Sequence, residues 1–114
     1  MEDLKKTEQQ PNKKTLYRQG DVLIRRIDGL PKQKAVKRAS GMILEGEATG
    51  HVHRIADLTR AEILEIGDGI YLCVGKEGVR IVHEEHAALV LPAGNYVVVR
   101  QREYFPEEIR NVAD

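Results

Sequence analysis

Cysteine is nearly missing from this chain. Cys73 stands alone, which rules out an internal disulfide and with it the disulfide-framework class of small secreted domains. Aromatic residues make up only 4% of the sequence, too few for the stacked-ring platforms that bind single-stranded nucleic acid. No apolar run approaches the roughly 20 residues that a membrane-spanning helix requires. Neither sign of charge dominates: 18 basic residues cancel 18 acidic ones, so no global pull toward nucleic acid is expected. The opening stretch, Met1-Glu2-Asp3-Leu4-Lys5-Lys6, is charged and lacks the apolar segment of a secretory signal. With the single thiol, this favours the reducing cytoplasm. Nucleophile motifs, phosphate-binding loops and dinucleotide fingerprints are also absent.

What remains is ordinary globular material, 41% apolar and 32% charged over 114 residues, a length that fits one domain with one modest core. Residues 1–15 are polar and without apolar period, and they read as a disordered tail ahead of a single β domain over 16–114. Short β-branched runs follow one another with turn residues between them. Strands are expected at Asp21–Ile27, Met42–Glu45, His51–Ile55, Ala61–Ile66, Ile70–Val74, Val79–His83, Ala87–Leu91 and Asn95–Arg102. A short one is expected near Ala35-Val36, and Asp57–Glu62 has a helical alternative. Gly75-Lys76-Glu77-Gly78 reads as a hairpin connection, and Pro106–Arg110 as one helical turn. Cys73 lies in an apolar run and reads as a buried small hydrophobe rather than a ligand. The fold class is therefore mainly β, a small β-barrel or β-roll with at most one or two helical turns.

All four histidines fall in two tight pairs, His51/His53 and His83/His86. In a strand, residues two apart point to the same face, so His51 and His53 can converge on one ion at metal–nitrogen distances near 2.0–2.1 Å. The spacing of three in His83/His86 needs a bend, which Glu84-Glu85 allows. Acids flank both pairs: Glu45, Glu47 and Asp57 beside the first, Glu84 and Glu85 beside the second. Any of them could complete a coordination sphere, and Glu47, Glu84 and Glu85 could orient a ligand or move protons. Imidazole and carboxylate donors without thiolate suit zinc, iron, manganese, nickel or copper. A surface or hydrogen-bonded role is the ordinary fate of an isolated histidine; two pairs with none elsewhere favour one shared metal site over two unrelated polar clusters or a metal-free catalytic or pH-sensing cluster.

Gly46, His51, His53 and Asp57 resemble the first motif of the cupin superfamily, with Asp57 in the place of its glutamate. Pro92-Ala93-Gly94 resembles the turn of the second motif, with Val97 standing where that motif carries histidine. The resemblance implies a metal-holding β-barrel. The pattern Thr49-Gly50-His51-Val52-His53, His83-Glu84-Glu85-His86, Leu91-Pro92-Ala93-Gly94-Asn95-Tyr96 and Gln101-Arg102-Glu103-Tyr104 is similar to a family of small uncharacterised proteins encoded in phage and bacterial genomes, and implies no activity.

Two functions of different class stand at this point. One is a metal-binding β-protein whose ion is structural or catalytic. The other is a non-enzymatic module that self-associates into a homo-oligomer, with nucleic acid as a further partner through the basic loop Lys32, Lys34, Lys37 and Arg38 beside Arg25 and Arg26. The more common fate of such a loop is a solvated surface. Gln101–Tyr104 is expected to close the sheet.

Overall fold

Alternation of apolar and polar residues sets each strand's inner face, and the inner faces of two antiparallel sheets meet. The computed structural model describes residues 15–45 and 51–101. They form ten strands: β1 (Leu16–Gln19), β2 (Val22–Ile27), β3 (Ala35–Lys37), β4 (Met42–Glu45), β5 (Val52–Ile55), β6 (Ala61–Ile66), β7 (Gly69–Val74), β8 (Val79–Val82), β9 (Leu89–Leu91) and β10 (Gly94–Arg100). One sheet runs β1-β2-β10-β7-β6-β3 and the other β4-β5-β8-β9. Neither closes on itself, so the architecture is an open two-sheet roll rather than a barrel. No described residue lies in an α-helix, so among the described residues no helix is long and apolar enough to cross a membrane.

The core is built from every second residue of the facing strands. The larger sheet contributes Val22, Ile24, Ala61, Ile63, Leu72, Val74, Tyr96 and Val98. The smaller contributes Ile43, Ile55, Val79, Ile81 and Leu91. Burying side chains of this kind is worth about 1.5–3 kcal/mol each, which is what holds the two layers together.

Three expectations are corrected. Gly75–Gly78 makes a tight turn, with Gly78 N–H donating to Gly75 C=O at 2.9 Å, but it does not close a hairpin. β7 and β8 belong to different sheets, so the turn is a corner between layers. Asp57–Arg60 forms a turn and not the start of a helix, and β6 begins at Ala61. Cys73 is only half-buried: it alternates with the buried Leu72 and Val74 and therefore faces away from the core. The expected helical turn at Pro106–Arg110 and the stretch Arg102–Tyr104 lie outside the described residues.

Candidate metal centre

The phase of two strands brings the histidines together. In β5, His53 and Ile55 are the buried positions, and His51 precedes them in the same phase. In β8, Val79 and Ile81 point inward, and His83 continues that alternation just past the strand's end. β5 pairs with β8 so that Arg54 faces Val82 and Ile55 faces Ile81. Continuing this antiparallel register one step sets His53 opposite His83, and three steps set His51 opposite Glu85. The side chains agree. The His53 and His83 rings lie 4.3 Å apart between centroids, and His51 Nδ1 lies 3.3 Å from Glu85 Oε2. His83 is the hub, 5.8 Å from His51 and 4.7 Å from His86. The two pairs, distant in sequence, share one end of the roll.

Donor atoms of His51, His83 and Glu84 all lie within 4.8 Å of one another. Nitrogen and oxygen ligands of one ion at 2.0–2.2 Å are separated by about 3–4.4 Å, so small rotations suffice to close this group on a metal. Glu84 is already tethered: its Oε1 accepts the Val52 backbone N–H at 3.0 Å. That hydrogen bond, with the neighbouring imidazoles, holds the Glu84 carboxyl below its ordinary range, and it is ionised at neutral pH. His83 Nδ1 accepts the Glu85 backbone N–H at 3.0 Å, so an ion would compete with that N–H for the bare nitrogen. A depression of about 240 Å³, lined by Val52, Arg54, Val82, His83 and Glu84, opens beside these donors.

His53 is 1% exposed, and its pKa falls to about 4, first through burial and then through repulsion from His83, with Asp21 partly opposing. Its Nδ1 lies 2.9 Å from Gln19 Oε1. Gln19, itself 2% exposed, donates its amide N–H groups to Ile81 C=O at 3.0 Å and Ala87 C=O at 2.9 Å. His86 stands over the β1–β2 turn. A Cβ on Gly20, whose φ is +62°, would come within 2.6 Å of His86 Nε2, so glycine there answers both the backbone angle and the ring's approach.

Other expected participants are placed elsewhere. Asp57 Oδ1 accepts from Thr59 N–H at 2.9 Å and Thr59 Oγ1 at 2.6 Å, bonds that keep its carboxyl below the usual value and commit it to the turn. Glu47 lies outside the described residues. The basic loop is partly engaged within the fold. Arg38 binds Glu65 Oε2 at 2.7 Å and the Met42 and Ile43 carbonyls; Lys37 Nζ lies 3.4 Å from Glu62; Arg26 binds Tyr96 and the Ala93 carbonyl. Two residues of the site carry no motif. Gln19 and Asp21 flank the Gly20 turn, and the only signal near them in the sequence is the turn marked by Gly20-Asp21.

A family model described as "Domain of unknown function (DUF8820)" matches residues 18–101. The chain belongs to this family. The matched span of DUF8820 takes in both histidine pairs, Glu84, Glu85 and the Gln19–Asp21 turn. No curated protein and no solved structure matches the chain.

Proposed function

We propose that this DUF8820 protein binds one divalent transition-metal ion through His51, His53, His83 and His86, with Glu84 as a carboxylate ligand. The convergence of the His51, His83 and Glu84 donors within 4.8 Å carries the reading. The donor set, imidazole and carboxylate without thiolate, fits zinc, iron, manganese, nickel or copper. In the same reading the chain acts as one domain in the reducing cytoplasm, as the phage- and bacterium-encoded proteins it resembles would. Of the alternatives, a nucleic-acid-binding module draws less support, because Arg26, Lys37 and Arg38 of its basic surface are engaged by partners within the fold.

Elemental analysis of untagged protein tests this directly. The wild type should carry close to one equivalent of metal, and His51→Ala and His83→Ala should each lose most of it. Metal content should also fall in acid, where protons compete with the ion for the ligand nitrogens. A wild type that binds none of the five metals, or an unchanged content in both variants, ends the proposal.

A further inference from the structure

We infer that Asp21 is a further ligand of this ion, reaching it beside His53 Nε2, and that Gln19 is the positioning residue that presents that nitrogen. The inference rests on the metal-binding reading above and deepens it.

Gln19 fixes the orientation of its own amide. Its nitrogen faces two carbonyls, Ile81 at 3.0 Å and Ala87 at 2.9 Å, and carbonyls only accept. Its oxygen therefore faces His53 Nδ1 at 2.9 Å, and a carbonyl oxygen there requires Nδ1 to carry the proton. The neutral imidazole is left with a bare Nε2. That nitrogen lies 3.6 Å from Asp21 Oδ1. Two lone-pair acceptors thus face each other at the edge of a ring that is 1% exposed. Without a positive charge between them, a metal ion or a second ring proton, the contact is repulsive; burial of the ring disfavours the second proton, and 3.6 Å is the separation of two donors on one ion at about 2.1 Å each.

Asp21 is held in this pose from both sides. Arg100 Nη1 donates to Oδ2 at 2.9 Å, which turns Oδ1 toward the ring, and the Asp21 backbone carbonyl accepts Gln101 N–H at 2.7 Å. His86 covers Gly20, the residue between Gln19 and Asp21. The β1–β2 turn of the larger sheet thereby meets the histidines of the smaller one. The two nitrogens of His53 divide the work: Nδ1 is oriented by a buried amide and Nε2 is offered to the ion, the pattern by which hydrogen-bonded partners set the basicity of metal-bound histidines.

The full chain is used for the test, stripped with chelator and then titrated with Zn²⁺ at pH 7 against a competing dye. Asp21→Asn keeps the shape and weakens the donor. It should bind Zn²⁺ at least ten-fold more weakly than the wild type, while the metal-free melting temperature stays within a few degrees. In metal-free protein, long-range ¹H–¹⁵N spectra of His53 should show the proton on Nδ1, and Gln19→Leu should shift it. If Asp21→Asn binds Zn²⁺ as the wild type does while His83→Ala does not, a water or Arg100 satisfies the pair and the inference falls with the metal reading intact. An Nε2–H or doubly protonated His53 in the metal-free wild type overturns it whatever the affinities. Failure of the wild type to bind Zn²⁺, iron, manganese, nickel or copper in the same titration removes both.

Discussion

A histidine buried as deeply as His53 sets burial against charge, and at neutral pH the neutral ring wins. Its pKa lies near 4 in the fold against 6.5 for the ordinary residue. The folded value is the lower one, so below 6.5 unfolding takes up a proton that the native ring refuses. The stability that this provides is complete above about pH 6.5 and is lost as pH falls toward 4. The full effect is about 3 kcal/mol. Urea unfolding of metal-free protein at pH 7 and pH 4.5 reads it, with His53→Gln as reference. The wild type should lose more stability than the variant over that interval, by about 2 kcal/mol or more. Parallel losses in the two proteins would place the acid sensitivity in other groups.

Among the elements, the corners between sheets do as much as the strands. At the β9–β10 corner Tyr96, 0% exposed, donates its hydroxyl proton to the Pro92 carbonyl at 2.6 Å and accepts from Arg26 Nη1 at 3.1 Å. Arg26 also caps the Ala93 carbonyl at 2.8 Å. Burial pushes the Tyr96 hydroxyl up to about 12, so it remains a donor throughout the neutral range. Tyr96→Phe leaves the Pro92 carbonyl and one Arg26 N–H short of a partner and should cost about 1–3 kcal/mol, read as a lower urea midpoint at unchanged slope. A loss under about 0.5 kcal/mol would show that water replaces the hydroxyl. Corners are also where the sequence was least legible. The alternation in Val52–Ile55, Ala61–Ile66 and Val79–Val82 announces strands because facing and period are local properties. Gly75-Lys76-Glu77-Gly78 carries the same turn chemistry whether the next strand returns beside β7 or crosses to the other sheet. Only pairing with β5 and β9 decides that, and such pairing has no local signature.

At the scale of the whole molecule the candidate site lies where both sheets contribute. His51 and His53 come with β5, His83 and His86 with the β8–β9 connection, and Gln19 and Asp21 with the β1–β2 turn. The histidines were legible in the sequence because residue type and spacing marked them. Gln19 and Asp21 were not, because a lone glutamine and an aspartate beside a glycine look like any turn, and their meaning depends on contacts across 34 and 32 residues (19 to 53 and 21 to 53). An ion bound among these side chains would join the two layers at one end of the roll. The unfolded chain cannot preform such a site, so saturating metal should stabilise the native state by RT ln(1 + [M]/Kd), about 2.7 kcal/mol at one hundred times Kd. For a domain of this size that corresponds to a rise in melting temperature of roughly 10–20 °C. Calorimetry of chelator-stripped protein with and without Zn²⁺ checks it, and the double variant His51→Ala/His83→Ala should show almost no rise. A rise of equal size in that variant would mean that Zn²⁺ stabilises the fold from another surface, and the four histidines would lose their role in holding the sheets together.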